Sequence, residues 1–305
     1  MTITNILPFN NEAIAEAVGL ILAGQCVAVP TETVYGLAAD ATNGEAVARI
    51  YEAKGRPSFN PLIVHVLDLA AAREIGEFDE QAAELGETHW PGPLTLVVPL
   101  RQPLAIASIA TAGLPTIGLR VPAHPAMQAL LRAAGRPFAA PSANASGGIS
   151  PTRAEHVLKS LGGRIPLIID GGPTERGIES TIIAATGGPL RLLRAGPIEI
   201  DAATPDAGRI EAPGQMASHY APSKPLRLNA MTAELDEHWI GFGPYDGHAN
   251  LSASGNLTEA AARLFDLLHR ADEADEARIA VAPVLEAGLG VAINDRLRRA
   301  AAPRS

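Results

Sequence analysis

The chain has 305 residues, 47% hydrophobic and 19% charged, a globular composition with room for two domains and at least one sizeable core. Its net charge of −9 argues against non-specific nucleic-acid binding, which depends on neutralising phosphates, although a local basic groove stays open. The single cysteine, Cys26, excludes an internal disulfide, and no segment approaches the roughly 18 continuous apolar residues of a membrane span, so a cytoplasmic protein with no membrane partner is expected.

In chain order, residues 11–24 carry Ile14, Val18, Ile21 and Leu22 at helical spacing and predict an amphipathic helix. Glu12 and Glu16 lie inside it with no basic stretch before them, so it does not read as a signal peptide. Residues 26–29 predict a buried strand in which Cys26 is packing rather than a nucleophile. Pro30 stops that strand, and a polar loop with Thr31, Glu32, Thr33 and Tyr35 follows. Thr42 with Glu45 three residues on predicts a capping box, opening a helix that carries Val47, Ile50 and Tyr51 on one face. Gly55 is its expected left-handed cap and Pro57 its stop. A strand over 62–67 contains His65, and helices are expected over 69–75, 80–88, 125–134 and 154–161. Further strands are expected over 94–99, 116–121, 138–140, 167–170, 180–184 and 190–194. Several strands follow one another directly, which predicts a mixed sheet rather than a purely parallel one. Residues 201–229 form a composition break rich in Asp, Glu and Pro, including Pro205 and Asp206, and read as a linker between domains at 1–200 and 230–305. The second domain reads as a compact βαβα unit, with strands over 239–242 and 279–284 and helices over 257–269 and 291–300.

No Walker A motif, G-x-G-x-x-G, H-E-x-x-H, paired cysteines or G-x-S-x-G elbow is present, which leaves the P-loop, dinucleotide, zinc and serine-hydrolase readings without support. Lys54 and Arg56 have two readings: cations that complement a helix C-terminus, or a pair aimed at a polyanion. Residues 141–152 form a small-residue loop leading to a helix expected to be capped by Thr152 with Glu155. The loop is either an anion cradle or an ordinary strand-to-helix connection. Arg120 lies inside an apolar strand and faces either solvent or a cleft, where its fork suits a carboxylate. The acidic turn at 272–276 and the basic trio Arg296, Arg298 and Arg299 of the last helix read as solvated faces.

Eight motifs then occur in order: PTETVYGL (30–37), KGRP (54–57), NPL (60–62), WPGPLT (90–95), GLRVP (118–122), PSANASGGISPT (141–152), GIESTI (177–182) and LLRAG (192–196). Together they resemble the YrdC-type threonylcarbamoyl-adenylate synthases, and PGQMASHYAP (213–222) resembles the linker of their longer, two-domain members. The resemblance implies an α/β fold: a YrdC-like mixed twisted sheet with flanking helices around a concave cleft, plus a small Rossmann-like C-terminal α/β domain. It implies a nucleotidyltransferase that makes threonylcarbamoyl-AMP and pyrophosphate from L-threonine, bicarbonate and ATP, with Mg²⁺ accompanying the ATP. The product would feed threonylcarbamoyladenosine modification next to the tRNA anticodon, through a downstream threonylcarbamoyl transferase and with at most a weak tRNA contact.

By motif position the resemblance assigns Lys54 and Arg56 to catalysis, and both, with Asn60, Thr116, Ser142, Asn144, Ser150, Arg194 and Tyr220, to ATP. It assigns Thr33, His65, Arg120, Ala140 and Ser180 to threonine, and no side chain to a metal. Ala184 departs from the acidic residue expected at its place, and the C-terminal domain diverges most. Met216, His219 and Tyr220 between stiffening prolines make the linker a lid over the active site rather than a tether. Two other functions are weighed. A double-stranded RNA-binding module is opposed by the acidity. A carbamoyl transferase using a related adenylate, as in hydrogenase-maturation proteins, would bring acylphosphatase and zinc-finger regions that this chain lacks.

Overall fold

The computed structural model describes residues 2–103, 105–203 and 211–303, so Pro205 and Asp206 of the expected linker lie outside the described residues. The first part contains strands β1 (Asn5–Pro8), β2 (Val27–Val29), β3 (Gly36–Asp40), β4 (Ile63–His65) and β5 (Leu94–Pro99). It continues with β6 (Thr116–Arg120), β7 (Phe138–Ala139), β8 (Leu167–Asp170), β9 (Thr181–Ala184) and β10 (Arg191–Arg194). They form one sheet of order β1-β8-β2-β3-β7-β4-β6-β5-β9-β10. Parallel pairs such as β4/β6 and β5/β9 sit beside antiparallel ones such as β2/β3 and β5/β6, so the expected mixed sheet forms. Its helices are α1 (Asn11–Leu22), α2 (Gly44–Lys54), α3 (Leu69–Ile75), α4 (Glu80–His89), α5 (Pro125–Ala134) and α6 (Ala154–Leu161).

The two-residue period of a strand sorts the apolar side chains between the two faces. Val27, Val29, Leu167 and Ile169 pack under α1 and α5, whereas Ala28 and Ile168 turn to the opposite layer with α2, α3, α4 and α6. Toward β9 and β10 the first face changes character. There Ile63, Val97, Ile182, Ala184 and Leu193 are closed by Ala212 of the linker rather than by a helix. That uncovered stretch, where His65 and Arg120 sit opposite each other in the β4/β6 register, is the floor of the cleft.

Two caps differ from the sequence reading. Thr42 spends its hydroxyl on Asp40 (2.7 Å), and Asn43 caps α2 by accepting from the backbone N–H groups of Glu45 and Ala46. Helix α6 starts at Arg153 without a side-chain cap, because Thr152 is drawn to the His156 ring. Gly55 does adopt the left-handed conformation that ends α2.

The second sheet has order β11 (Leu226–Arg227), β14 (Arg278–Val281), β12 (Glu237–Gly241), β13 (Ala249–Asn250), with every pair parallel. Helices α7 (Leu257–Glu273) and α8 (Leu289–Ala301) complete it. Four strands went unread in the sequence: β1 and β3 in the large sheet, β11 and β13 here.

The two parts share an apolar cluster that joins Val34, Ile149, Ile178 and Tyr220 to the inward faces of α7 and α8. Gly177 meets α7 there at φ 68°, where a Cβ would lie 2.4 Å from the backbone oxygen of Ala261, so only glycine fits. His156 of α6 and His269 of α7 stack across the boundary with ring centroids 3.8 Å apart.

The turn at 272–276 and helix α8 are not merely solvated faces. Asp272 accepts from Ser223 and Lys224, and Arg296 is fully buried on the same stripe as Ile293, Leu297 and Ala300. No helix among the described residues is long and apolar enough to cross a membrane.

Candidate active site

A cleft opens between the sheet, the 141–150 loop and the linker, all three of which line it. Three arginines line it: Arg56 from the turn after α2, Arg120 from β6 and Arg194 from β10. Each is nearly buried and each is anchored by the protein before any ligand arrives.

On one side, the Thr31 hydroxyl bonds to the Val34 carbonyl (2.7 Å) and to Thr33 Oγ1 (2.8 Å), knotting the 31–34 loop into a tight turn. That turn presents the Thr33 hydroxyl to Arg120 Nη1 at 3.0 Å. Glu32 takes the other amino group of Arg120, while its second oxygen accepts from the Ala123 N–H at 3.0 Å. Burial pushes the Glu32 carboxyl up, but Arg120 overrides it and leaves the group below its ordinary value. Arg120 is therefore a charge-compensated fork whose geometry is preset. His65 faces it with Nδ1 lacking any partner, and burial together with Arg120 holds the ring neutral. A buried ring nitrogen without a partner is a place for a ligand group.

On the other side, Arg56 donates Nε to the Asn60 carbonyl (3.2 Å) and Nη2 to the Pro61 carbonyl (2.9 Å). Burial lowers it to about 10. Arg194 holds Ser180 through its carbonyl and its hydroxyl, both at 3.1 Å, and Ser180 in turn meets Thr95 at 2.8 Å. The linker closes this side. Tyr220 is buried with φ 63°, its hydroxyl unpartnered, and the His219 ring stands edge-on to it at 4.0 Å.

Residues 19–196 match the family model described as "Telomere recombination", and residues 178–302 match "Threonylcarbamoyl-AMP synthase, C-terminal domain". The chain is 40% identical to threonylcarbamoyl-AMP synthase of Bacillus subtilis, over 99% of this chain and 96% of that one. Against threonylcarbamoyl-AMP synthase of Pyrococcus abyssi the identity is 38%, over 94% of each chain. The crystal structure of P. abyssi Sua5 complexed with L-threonine superposes with a TM-score of 0.88 at 36% identity, covering 99% of this chain and 97% of that one. The chain belongs to the threonylcarbamoyl-AMP synthase family. It has the two-domain form of that family, and E. coli YciO shares the fold of the first part, with a TM-score of 0.57 over 66% of this chain.

Among the residues assigned by motif, the cavity brings together Thr33, Arg56, His65, Arg120, Ala140, Ser142, Arg194 and Tyr220. The others lie behind it. Lys54, fully buried, donates to the carbonyls of Ser142 and Asn144 and so ties α2 to the 141–150 loop. Burial and the neighbouring Arg56 push its pKa well down. Asn144 braces the same loop through Ala145 and Gly148, both at 2.9 Å. Ser150 donates to Glu179, Asn60 reaches Met216 of the linker, and Ser180 stands beneath Arg194. Thr116 lines a separate small cavity with Thr95, Ala212 and Pro213.

Sequence reasoning passed over Glu32, Glu179 and Arg296 as site residues and named His219 only as part of the lid. Glu32 and Glu179 stand inside the quoted motifs, and Arg296 falls on the apolar stripe of its helix, which was a readable signal. Among the described residues no group of three His, Cys, Asp or Glu side chains could hold a metal ion. Glu179, the carboxylate that lines the cavity, is taken by Ser150 and Arg296, so the donor set does not fit a resident Mg²⁺.

Proposed function

We propose that this cavity joins L-threonine, bicarbonate and ATP into threonylcarbamoyl-AMP, releasing pyrophosphate. The observation that carries the reading is the convergence of three anchored arginines on one cavity whose lining residues also hold three unpartnered polar atoms, His65 Nδ1, His219 Nδ1 and the Tyr220 hydroxyl. It is supported by full-length likeness to proteins of that name and to a relative complexed with L-threonine.

The threonine amine, once deprotonated, adds to bicarbonate and expels water to give a carbamate. A carbamate oxygen then attacks the α-phosphorus, the bond to the bridging oxygen breaks, and pyrophosphate leaves. Both partners are anions, so their repulsion is the main obstacle. Arg56 and Arg194 lower it at the nucleotide end, with Ser142 and Tyr220 beside them. Arg120, Thr33 and His65 orient the amino acid, with Ala140 against its methyl group. Lys54, Asn144 and Ser150 act by shaping the loop that carries Ser142. No side-chain nucleophile is required. Mg²⁺ enters with the triphosphate, as part of the substrate, and neutralises its charge. Of the linker expected over 201–229, residues 211–225 act as a lid between the two units, ahead of Leu226–Arg227 in the second sheet, and shield a labile mixed anhydride from water. The product passes to a threonylcarbamoyl transferase in the cytoplasm, and tRNA contact is at most weak for so acidic a chain.

The test is pyrophosphate release with ATP, threonine and bicarbonate each omitted in turn. All three are required on this reading, and equal turnover without bicarbonate would overturn it. Serine in place of threonine should lower kcat/KM by an amount set by one lost methyl, about 1–3 kcal/mol in an apolar pocket.

A further inference from the structure

Helix α8 belongs to the C-terminal sheet, yet its central arginine ends in the wall of the catalytic cleft. Arg296 donates Nε to Glu179 at 2.8 Å, Nη1 to Asp295 at 2.9 Å and Nη2 to the Ala195 carbonyl at 2.9 Å. Its guanidinium carbon lies 5.3 Å from the centroid of the Tyr220 ring, within cation–π range. Glu179 and Tyr220 both line the cavity, whereas Arg296 stands behind them. One turn further on, Arg299 donates to the Met216 carbonyl, and its own carbonyl accepts from the His219 N–H at 3.2 Å. The same helix therefore grips the linker over the residues just ahead of its closing aromatic.

We propose that Arg296 is a positioning residue for adenylate formation: from the last helix it holds and counters the charge of Glu179 in the cavity wall, and it seats the Tyr220 ring over the nucleotide end. The proposal rests on the reaction proposed above. Its physical content is a charge argument. Burial pushes the Glu179 carboxyl up, and Arg296 with Arg194 brings it below its ordinary value, so the group is anionic in a space that must admit a triphosphate. Without Arg296 the Glu179 carboxyl would keep only Arg194 as a nearby cation, and the charge left under-compensated would oppose the most highly charged substrate, while zwitterionic threonine would sense it far less. The Tyr220 ring would lose the cation behind it at the same time.

The test uses the full chain with R296M, R296K, E179Q and the double variant R296M/E179Q. R296M should raise the KM for ATP about tenfold or more, with a KM for threonine changed by less than about threefold. The charge-neutral double variant should recover most of the ATP term, and R296K should fall between. Cleavage of ligand-free protein by a protease within 213–222 should be faster in R296M and remain faster in the double variant, because the Tyr220 contact is absent from both. A purely structural arginine would lower Tm in R296M and in the double variant alike while leaving the ATP KM of folded protein unchanged, and that result would overturn the proposal. Should R296M not fold, an unchanged ATP KM and cleavage rate in R296K would overturn it equally. Calorimetric ATP affinity separates the two readings. A wild-type protein that binds ATP but releases no pyrophosphate overturns the reaction, while a weakened affinity in R296M still supports the positioning role. A wild type that does neither overturns both.

Discussion

Lys54 and Arg56 sit two positions apart and their side chains have different tasks. Arg56 reaches the cavity, whereas Lys54 ends on two backbone carbonyls behind it. Arg56→Ala should therefore weaken ATP use by about 1.5–3 kcal/mol, roughly tenfold to over a hundredfold in kcat/KM, and should also lower Tm, because the buried Pro61 carbonyl loses its donor. Lys54→Ala should lower Tm by a comparable loss of about 1–3 kcal/mol, because the buried Asn144 carbonyl is left without a donor while the Ser142 carbonyl keeps the Asn144 N–H. Pyrophosphate release at a temperature where both variants are folded separates the two, with the smaller loss in kcat/KM expected for Lys54→Ala. Equal kinetic losses would mean that both cations meet the nucleotide directly. Neither the helix-dipole reading nor the polyanion reading of the sequence covered the case of Lys54, which spans 88 and 90 residues to organise a loop.

At the scale of elements, the long apolar strands and amphipathic helices were legible because each carries its own periodicity. The strands that escaped notice lacked one. Gly36–Asp40 has no β-branched residue, and Leu226–Arg227 and Ala249–Asn250 are two residues each. Of the site, the motif residues that line the cavity could be named in advance. The Glu179–Arg296 pair could not, since it joins positions 117 residues apart that only the packing of two sheets brings together. The linker is the element whose behaviour is most open to test. Tyr220 holds φ 63°, a conformation that costs a non-glycine residue about 1–3 kcal/mol and persists only where its surroundings over-determine it. Here Phe265, His219 and Arg296 pack around its ring. ATP with threonine should slow proteolysis within 213–222, and Tyr220→Ala should abolish much of that protection. Cleavage at the same rate with and without ligands would show that the segment is a connector and not a lid.

For the whole molecule, four buried histidines set the response to acid. His65, His156, His219 and His269 all have lowered pKa values, chiefly through burial, and His156 and His219 reach about 3. The unfolded chain takes up these protons near pH 6.5, so the folded state holds its full stability above about 6.5 and loses it as the pH falls toward 3. Each histidine contributes a slope of up to about 1.4 kcal/mol per pH unit in that window. The carboxyls of Glu32 and Glu179 are lowered too, so their contribution is present above about 4.5 and lost only below it. The urea midpoint should therefore drop between pH 7 and 5, ahead of the carboxylates, and a flat midpoint across that range would contradict the assignment. The buried arginine of α8 also bears on how the molecule is made. A ribosome releases the chain from its N-terminus and domains tend to fold in that order, so Glu179 must wait 117 residues for the arginine it is hydrogen-bonded to. Stalled nascent chains ending shortly before and well after residue 296 should differ in ATP binding if that wait matters. If it does, a message cut short before residue 296 would yield a chain that turns the nucleotide away, and no half-built copy would consume ATP.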